Sequence, residues 1–319
     1  MTGVSDGVLI SDPRNGEWDF GDFAYGLEHL TMPPVGPAAV SSPGGVPGAL
    51  PPCDLDLVLF QLRLLADGGP SAAPGTRVDP SDDQLFWFRW ITGHQITFLI
   101  WHLMGKLLER SAERQTPDRE SLGRLETYAY GYCAMLLYTG SCPLDLYQSL
   151  IRPRMHLQHR GFSGTWASDF APVRGLFRGR GAARGHGPEA DRLARAVEIH
   201  RTIHDGIAAR LVPEGRSLLQ QTMKETVVRP SERTAILYDN FFLTLRGPVD
   251  DDGITGQLLR RLRAVAWDIA DRGLYPLGHG GDDRPEELRS AEVARCENRI
   301  GHILSEVGEA AAAPAKPLP

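Results

Sequence analysis

Residues 82–109 read DDQLFWFRWITGHQITFLIWHLMGKLLE and constrain the chain more than any other stretch. Trp87, Trp90, Ile91, Phe98 and Trp101 lie three, four or seven positions from His94, so one helix would carry them all on the histidine's face. Three of the six tryptophans fall in this segment. A helix face so rich in indole is buried in a core or lines a cavity. His94 has the same two readings: a core histidine with one satisfied hydrogen bond, or a group facing a large, flat, apolar ligand. The concentration of tryptophan favours the cavity.

Helical signals dominate the rest of the sequence. A first helix is expected over 54–66, ended by Gly68-Gly69-Pro70, and a long one over about 82–112. A third runs from Pro117, a good first helical residue, to Gly140, and a short one runs from Pro143 to near Ile151. Residues 152–188 are rich in Arg and Gly and read as irregular. Further helices are expected at about 189–212, 231–246, 254–272 and 285–307. Alternating stretches are few and no repeat is visible. The fold class is therefore all-α: a helical bundle enclosing a pocket, with a long irregular N-terminal segment. Residues 1–80 form that Pro/Gly-rich segment with one short helix, 81–310 the all-α domain, and 311–319 a disordered tail.

At 319 residues the chain can bury a sizeable core. A net charge of -6 with both signs interspersed gives no general attraction to nucleic acid. Cys53, Cys133, Cys142 and Cys296 are scattered without CxxC spacing, which argues against a disulfide framework, a zinc ribbon or a c-type heme attachment. A reducing cytoplasm fits, and no signal peptide is expected. The apolar run 96–104 is too short to span a bilayer. A homo-oligomer is left open.

Several residue sets could carry chemistry. His200 and His204 are four apart on one helical face, a spacing that lets two imidazoles share a metal or one of them hold heme iron while the other lies near. The bland alternative is a half-buried helix with two histidines at its edge. His156 and His159 precede the loop GFSGTWASDF and read as loop residues. Cys142-Pro143 could present a thiolate to heme, but reads more simply as a helix start. Asp82-Asp83 resembles the start of the aspartate-rich motif of class I isoprenoid synthases, yet Phe86 stands at the third acidic position, and Asp250–Asp252, in a turn before Gly253, are better suited to capping a helix. Arg174, Arg178, Arg180 and Arg184 could grip anions such as heme propionates, or lie in a solvated loop.

The 82–109 segment resembles the distal helix of the histidine-ligated heme-dependent aromatic oxygenases, the superfamily of tryptophan 2,3-dioxygenase. Asp83, Leu85-Phe86, His94-Gln95 and Trp101 carry the likeness. Gly161-Phe162-Ser163 resembles that family's substrate-binding loop, and His204, Ile207, Ala208 and Arg210 fit its proximal-ligand helix. Ser168 stands where the dioxygenase has its substrate-gripping arginine, and the chain's size and its WITGHQ and GFSGTWASDFAP segments look more like the tyrosine 3-hydroxylase branch of bacterial natural-product (antibiotic) pathways.

The resemblance implies noncovalent heme b ligated by His204, with His200 as the alternative. It implies distal acid–base work by His94, and dry walls from Trp87, Trp90, Phe98 and Trp101. Substrate contacts fall to Ser163, Thr165 and Trp166, and Arg174 is the candidate anion partner. The implied reaction is hydroxylation of L-tyrosine at ring C3 to L-DOPA, with hydrogen peroxide, or dioxygen and a reductant, as oxidant. An indole or tryptophan oxygenase, an isoprenoid synthase-like enzyme and a non-enzymatic heme sensor or carrier are the competing readings.

Overall fold

In the computed structural model, residues 18–35, 49–69, 79–113, 118–181, 187–212, 230–278 and 284–313 are described. Pro117, Arg184 and the tail beyond 313 lie outside them. Helices build most of the described chain, as an all-α fold requires.

The expected helices form where the capping chemistry places them. Helix α1 spans Leu55–Ala66 behind Asp54, whose side chain accepts from the Leu57 amide. The aromatic helix α2 runs Asp82–Glu113, and α3 runs Arg119–Thr139 with Asp118 as its cap. Two glycines bring three helices close. A Cβ at Gly93 of α2 would stand 2.5 Å from Thr139 Cγ2 of α3. One at Gly140 would stand 2.7 Å from Ile207 Cδ1 of α7, which spans Pro188–Leu211. These contacts set α2, α3 and α7 side by side, with α2 and α7 carrying the candidate histidines.

The structure corrects the sequence reading at four places. Residues 152–188 are partly helical. Helix α4 (Leu144–Leu146) passes through a π-helical turn, Tyr147–Ile151, into α5, Arg152–Gln158, and α6 spans Phe170–Phe177. These pieces are too short for a periodic signal, and Pro153, which cannot donate a backbone hydrogen bond, lies just after the π-helical turn in a run that stays helical from Leu144 to Gln158. The helix expected over 231–246 stops early: α8 is Glu232–Phe241, and Leu243 takes a left-handed φ of 51°. Beyond it Thr244–Arg246 (β2) pairs in parallel with Leu30–Met32 (β1), a two-stranded sheet the all-helical reading did not contain. Helix α9 spans Asp251–Arg272, and the helix expected over 285–307 is broken at Arg299 into α10, Ala291–Asn298, and α11, Ile300–Ala312. Among the described residues no helix is long and apolar enough to cross a membrane.

Candidate active site

A cavity of about 400 Å³ opens between α2, α3, α7 and α8, within the size range of small-molecule sites. Trp90, His94 and Trp101 come from α2, Tyr132 from α3, Tyr238 from α8 and His204 from α7. Phe242, just after α8, and Tyr147 of the π-helical turn add further ring surface. Arg152 and Met155 of α5 and the loop residues Phe162–Thr165 close one side.

His94 stacks on Phe242 at 4.5 Å and touches Trp90 at 4.5 Å. Its Nδ1 lies 2.7 Å from the Trp90 carbonyl oxygen. A carbonyl only accepts, so Nδ1 carries the proton and Nε2 keeps a bare lone pair. Burial lowers the imidazole's pKa to about 4, with the Trp90 hydrogen bond opposing. At neutral pH the group is an uncharged base. Its neighbour Gln95 holds the scaffold: Nε2 donates to the Glu28 and Phe242 carbonyls, and Oε1 accepts from Arg261 Nε at 2.9 Å.

His204 reaches the cavity from α7, its Nδ1 3.2 Å from Asp205 Oδ1. A proton shared there leaves Nε2 free, the arrangement that orients a metal-ligating histidine. His200, one turn earlier, is buried between Tyr132 and Phe177 with ring centroids 4.4 Å away on each side. Neither of its nitrogens has a partner, and burial lowers its pKa to about 3.

The other sequence candidates are distributed unevenly. Ser163 and Thr165 line the cavity, their hydroxyls 3.0 Å apart, and Ser163 Oγ accepts from the Thr165 amide. Trp87 does not line it; its ring packs edge-on to Phe241 under the Arg154 guanidinium. Phe98 is buried behind the wall against Trp101, Tyr238 and Phe242. Trp166 is buried against His159 and Phe162, and Arg174 lies over Phe170. His159 Nδ1 accepts from the Gly161 amide and shapes the turn into the loop. Cys142 is buried and its thiol is pushed up to about 12, so it offers no thiolate. Asp250 caps α9 and Asp251 pairs with Lys106.

Sequence reasoning missed Tyr132, Tyr147, Arg152, Tyr238 and Phe242. The cluster Tyr238, Phe241, Phe242 was the one signal open to notice. An ion-pair clamp was also missed. Arg246 of β2 grips Asp169 at 2.7 Å and Asp239 of α8 at 2.7 Å, which pins the end of the 161–169 loop against α8.

The residues fit a heme better than a bare metal ion. Among the described residues no group of three or more metal-ligating side chains occurs. A macrocycle needs only one or two imidazoles and flat apolar walls. The indole nitrogens of Trp90 and Trp101, both in residues lining the cavity, are buried without an acceptor, as is His200. Such orphans call for a missing partner.

Residues 56–198 match the family model described as SfmD 3-methyl-L-tyrosine peroxygenase. The match takes in nearly all of α1, all of α2 to α6 and the N-terminal part of α7, and stops before His200. The matched stretch makes up a little under half of the chain. No curated protein matches the chain.

Proposed function

We propose that this chain is a heme-dependent peroxygenase that hydroxylates the ring of a tyrosine-type amino acid at C3, converting L-tyrosine to L-DOPA. The observation that carries the reading is the shared cavity: a neutral His94 with a bare Nε2 and an oriented His204 open on one aromatic-walled space. Heme, held noncovalently by His204, would activate the peroxide and supply one of its oxygen atoms. In balance, a ring C–H becomes C–OH and the second peroxide oxygen leaves as water.

The protein's own residues do the rest. His94 Nε2 takes a proton from the peroxide or the phenol and returns it to the departing oxygen. Its low pKa keeps it available as a base at neutral pH. Trp90, Trp101, Tyr238 and Phe242 exclude water, and Ser163 and Thr165 offer hydroxyls to polar groups of the substrate.

Visible absorbance of protein expressed with a heme precursor tests the reading. A Soret band that shifts with L-tyrosine is expected, with 3-methyl-L-tyrosine compared beside it. His204→Ala should lose the band and His94→Ala should keep it. Well-folded protein without a Soret band overturns the proposal. The orphaned nitrogens of His200 favour it as the second reading for the ligand; a His204→Ala protein that retains heme and activity would select it.

A further inference from the structure

Arg152 is the one permanently charged side chain among the described residues lining the cavity, and no Asp or Glu lines it there. It directly follows the π-helical turn Tyr147–Ile151, a distortion often found at functional sites. The guanidinium is half-buried, and the partner it has is neutral, the Tyr147 hydroxyl. Arginines nearby are directed elsewhere. Arg154 lies over Trp87 at 4.4 Å, Arg174 over Phe170 at 5.7 Å, Arg210 donates to the Cys142 carbonyl, and Arg246 is taken by Asp169 and Asp239. A guanidinium offers five donors in a fork that matches a carboxylate. Ser163 and Thr165 line the same space, and their hydroxyls suit the remaining polar atoms of an α-amino acid.

We propose that Arg152 binds the α-carboxylate of the amino-acid substrate, and so selects amino acids over simple phenols. This rests on the tyrosine-type reading above and replaces Arg174 as the carboxylate partner. A heme propionate offers the same chemistry; the substrate's carboxylate is the one assigned.

Calorimetric titration of the holoprotein with L-tyrosine and with tyramine, the same phenol and amine without the carboxylate, tests the assignment. The wild type should bind tyrosine about 10- to 100-fold more tightly, the range of one charge-assisted hydrogen-bonded pair. Arg152→Met should erase that preference by weakening tyrosine alone, with heme content unchanged. Arg152→Lys should keep part of it, and carries the test if the Met variant does not fold. Three results would overturn the inference: an Arg152 variant that still prefers tyrosine, loss of the preference in Arg174→Met instead, or loss of heme with the preference intact. A wild type that binds neither ligand overturns the tyrosine reading itself, and Arg152's assignment falls with it.

Discussion

Arg89 and His94 stand five residues apart on α2, and the protein treats them in opposite ways. Arg89 is fully buried and heavily engaged. Its Nε lies 2.7 Å from Asp268 Oδ2, an ion-pair contact without the alignment of a hydrogen bond, and its other two nitrogens donate to Ser141 Oγ and to the Gly273 and Leu274 carbonyls. Asp268 in turn accepts from the hydroxyls of Tyr25 and Tyr138. Across the helix the indole nitrogens of Trp90 and Trp101 are buried without a hydrogen-bond partner, and His94 Nε2 has none among the described residues. Adjacent His94 and Gln95 repeat the contrast, since the Gln95 amide is engaged at both its nitrogen and its oxygen. Buried polar groups are normally satisfied, so the satisfied side reads as scaffold and the unsatisfied side as a place made for a ligand.

The largest effect should come from breaking the satisfied side. Asp268→Ala strands a buried guanidinium and two buried hydroxyls, and a stability loss of about 3–5 kcal/mol is expected in urea unfolding. The folded fraction should keep its affinity for tyrosine, because nothing facing the cavity changes. A loss under 1 kcal/mol would dissolve the contrast between the two sides.

The cavity side should answer in the other quantity. His94→Ala is expected to lower turnover roughly 100- to 10,000-fold, the usual contribution of a positioned acid–base group, with heme and fold retained. Turnover within a few-fold of wild type would remove His94 from the chemistry.

How much of this contrast was legible beforehand follows from range along the chain. The stripe of α2 and the two histidines of α7 were visible because helical periodicity is local. Trp87 shows the limit of that signal: it shares His94's face but lies two turns, about 10 Å, along the axis, past the cavity's end. The pairing of β1 with β2, the Arg89–Asp268 pair and the approach of Phe242 to His94 join residues far apart in sequence, and no local pattern encodes them. Arg152 was hidden for a different reason: its helix is too short for periodicity, and it borders a stretch that reads as a loop.

Acid should weaken the protein through the unsatisfied side. Above pH 6.5 the His94 imidazole is neutral in the folded and the unfolded chain, and its contribution is complete. Between 6.5 and about 4 the unfolded chain takes a proton that the folded one refuses, so stability falls as pH falls. The window corresponds to at most about 3 kcal/mol by pH 4. Urea midpoints across pH 4–7 should drop less in His94→Gln than in the wild type; equal slopes would show that the group does not hold its neutral form on folding.

The smallest effect should be a gain, and it bears on the one residue that belongs to neither side. His200 is buried, yet both its nitrogens are orphaned and two aromatic rings enclose it. If His204 is the ligand, His200 pays a desolvation cost for a partner it never receives. His200→Leu should then stabilise the fold by about 1–2 kcal/mol, the cost of one unsatisfied buried polar group, and leave the Soret band in place. Differential scanning and absorbance on the same sample separate the cases. A more stable protein that still binds heme keeps His200 as filler beside the site, whereas loss of the band makes its orphaned nitrogens a vacant ligand position and moves the iron one turn along α7.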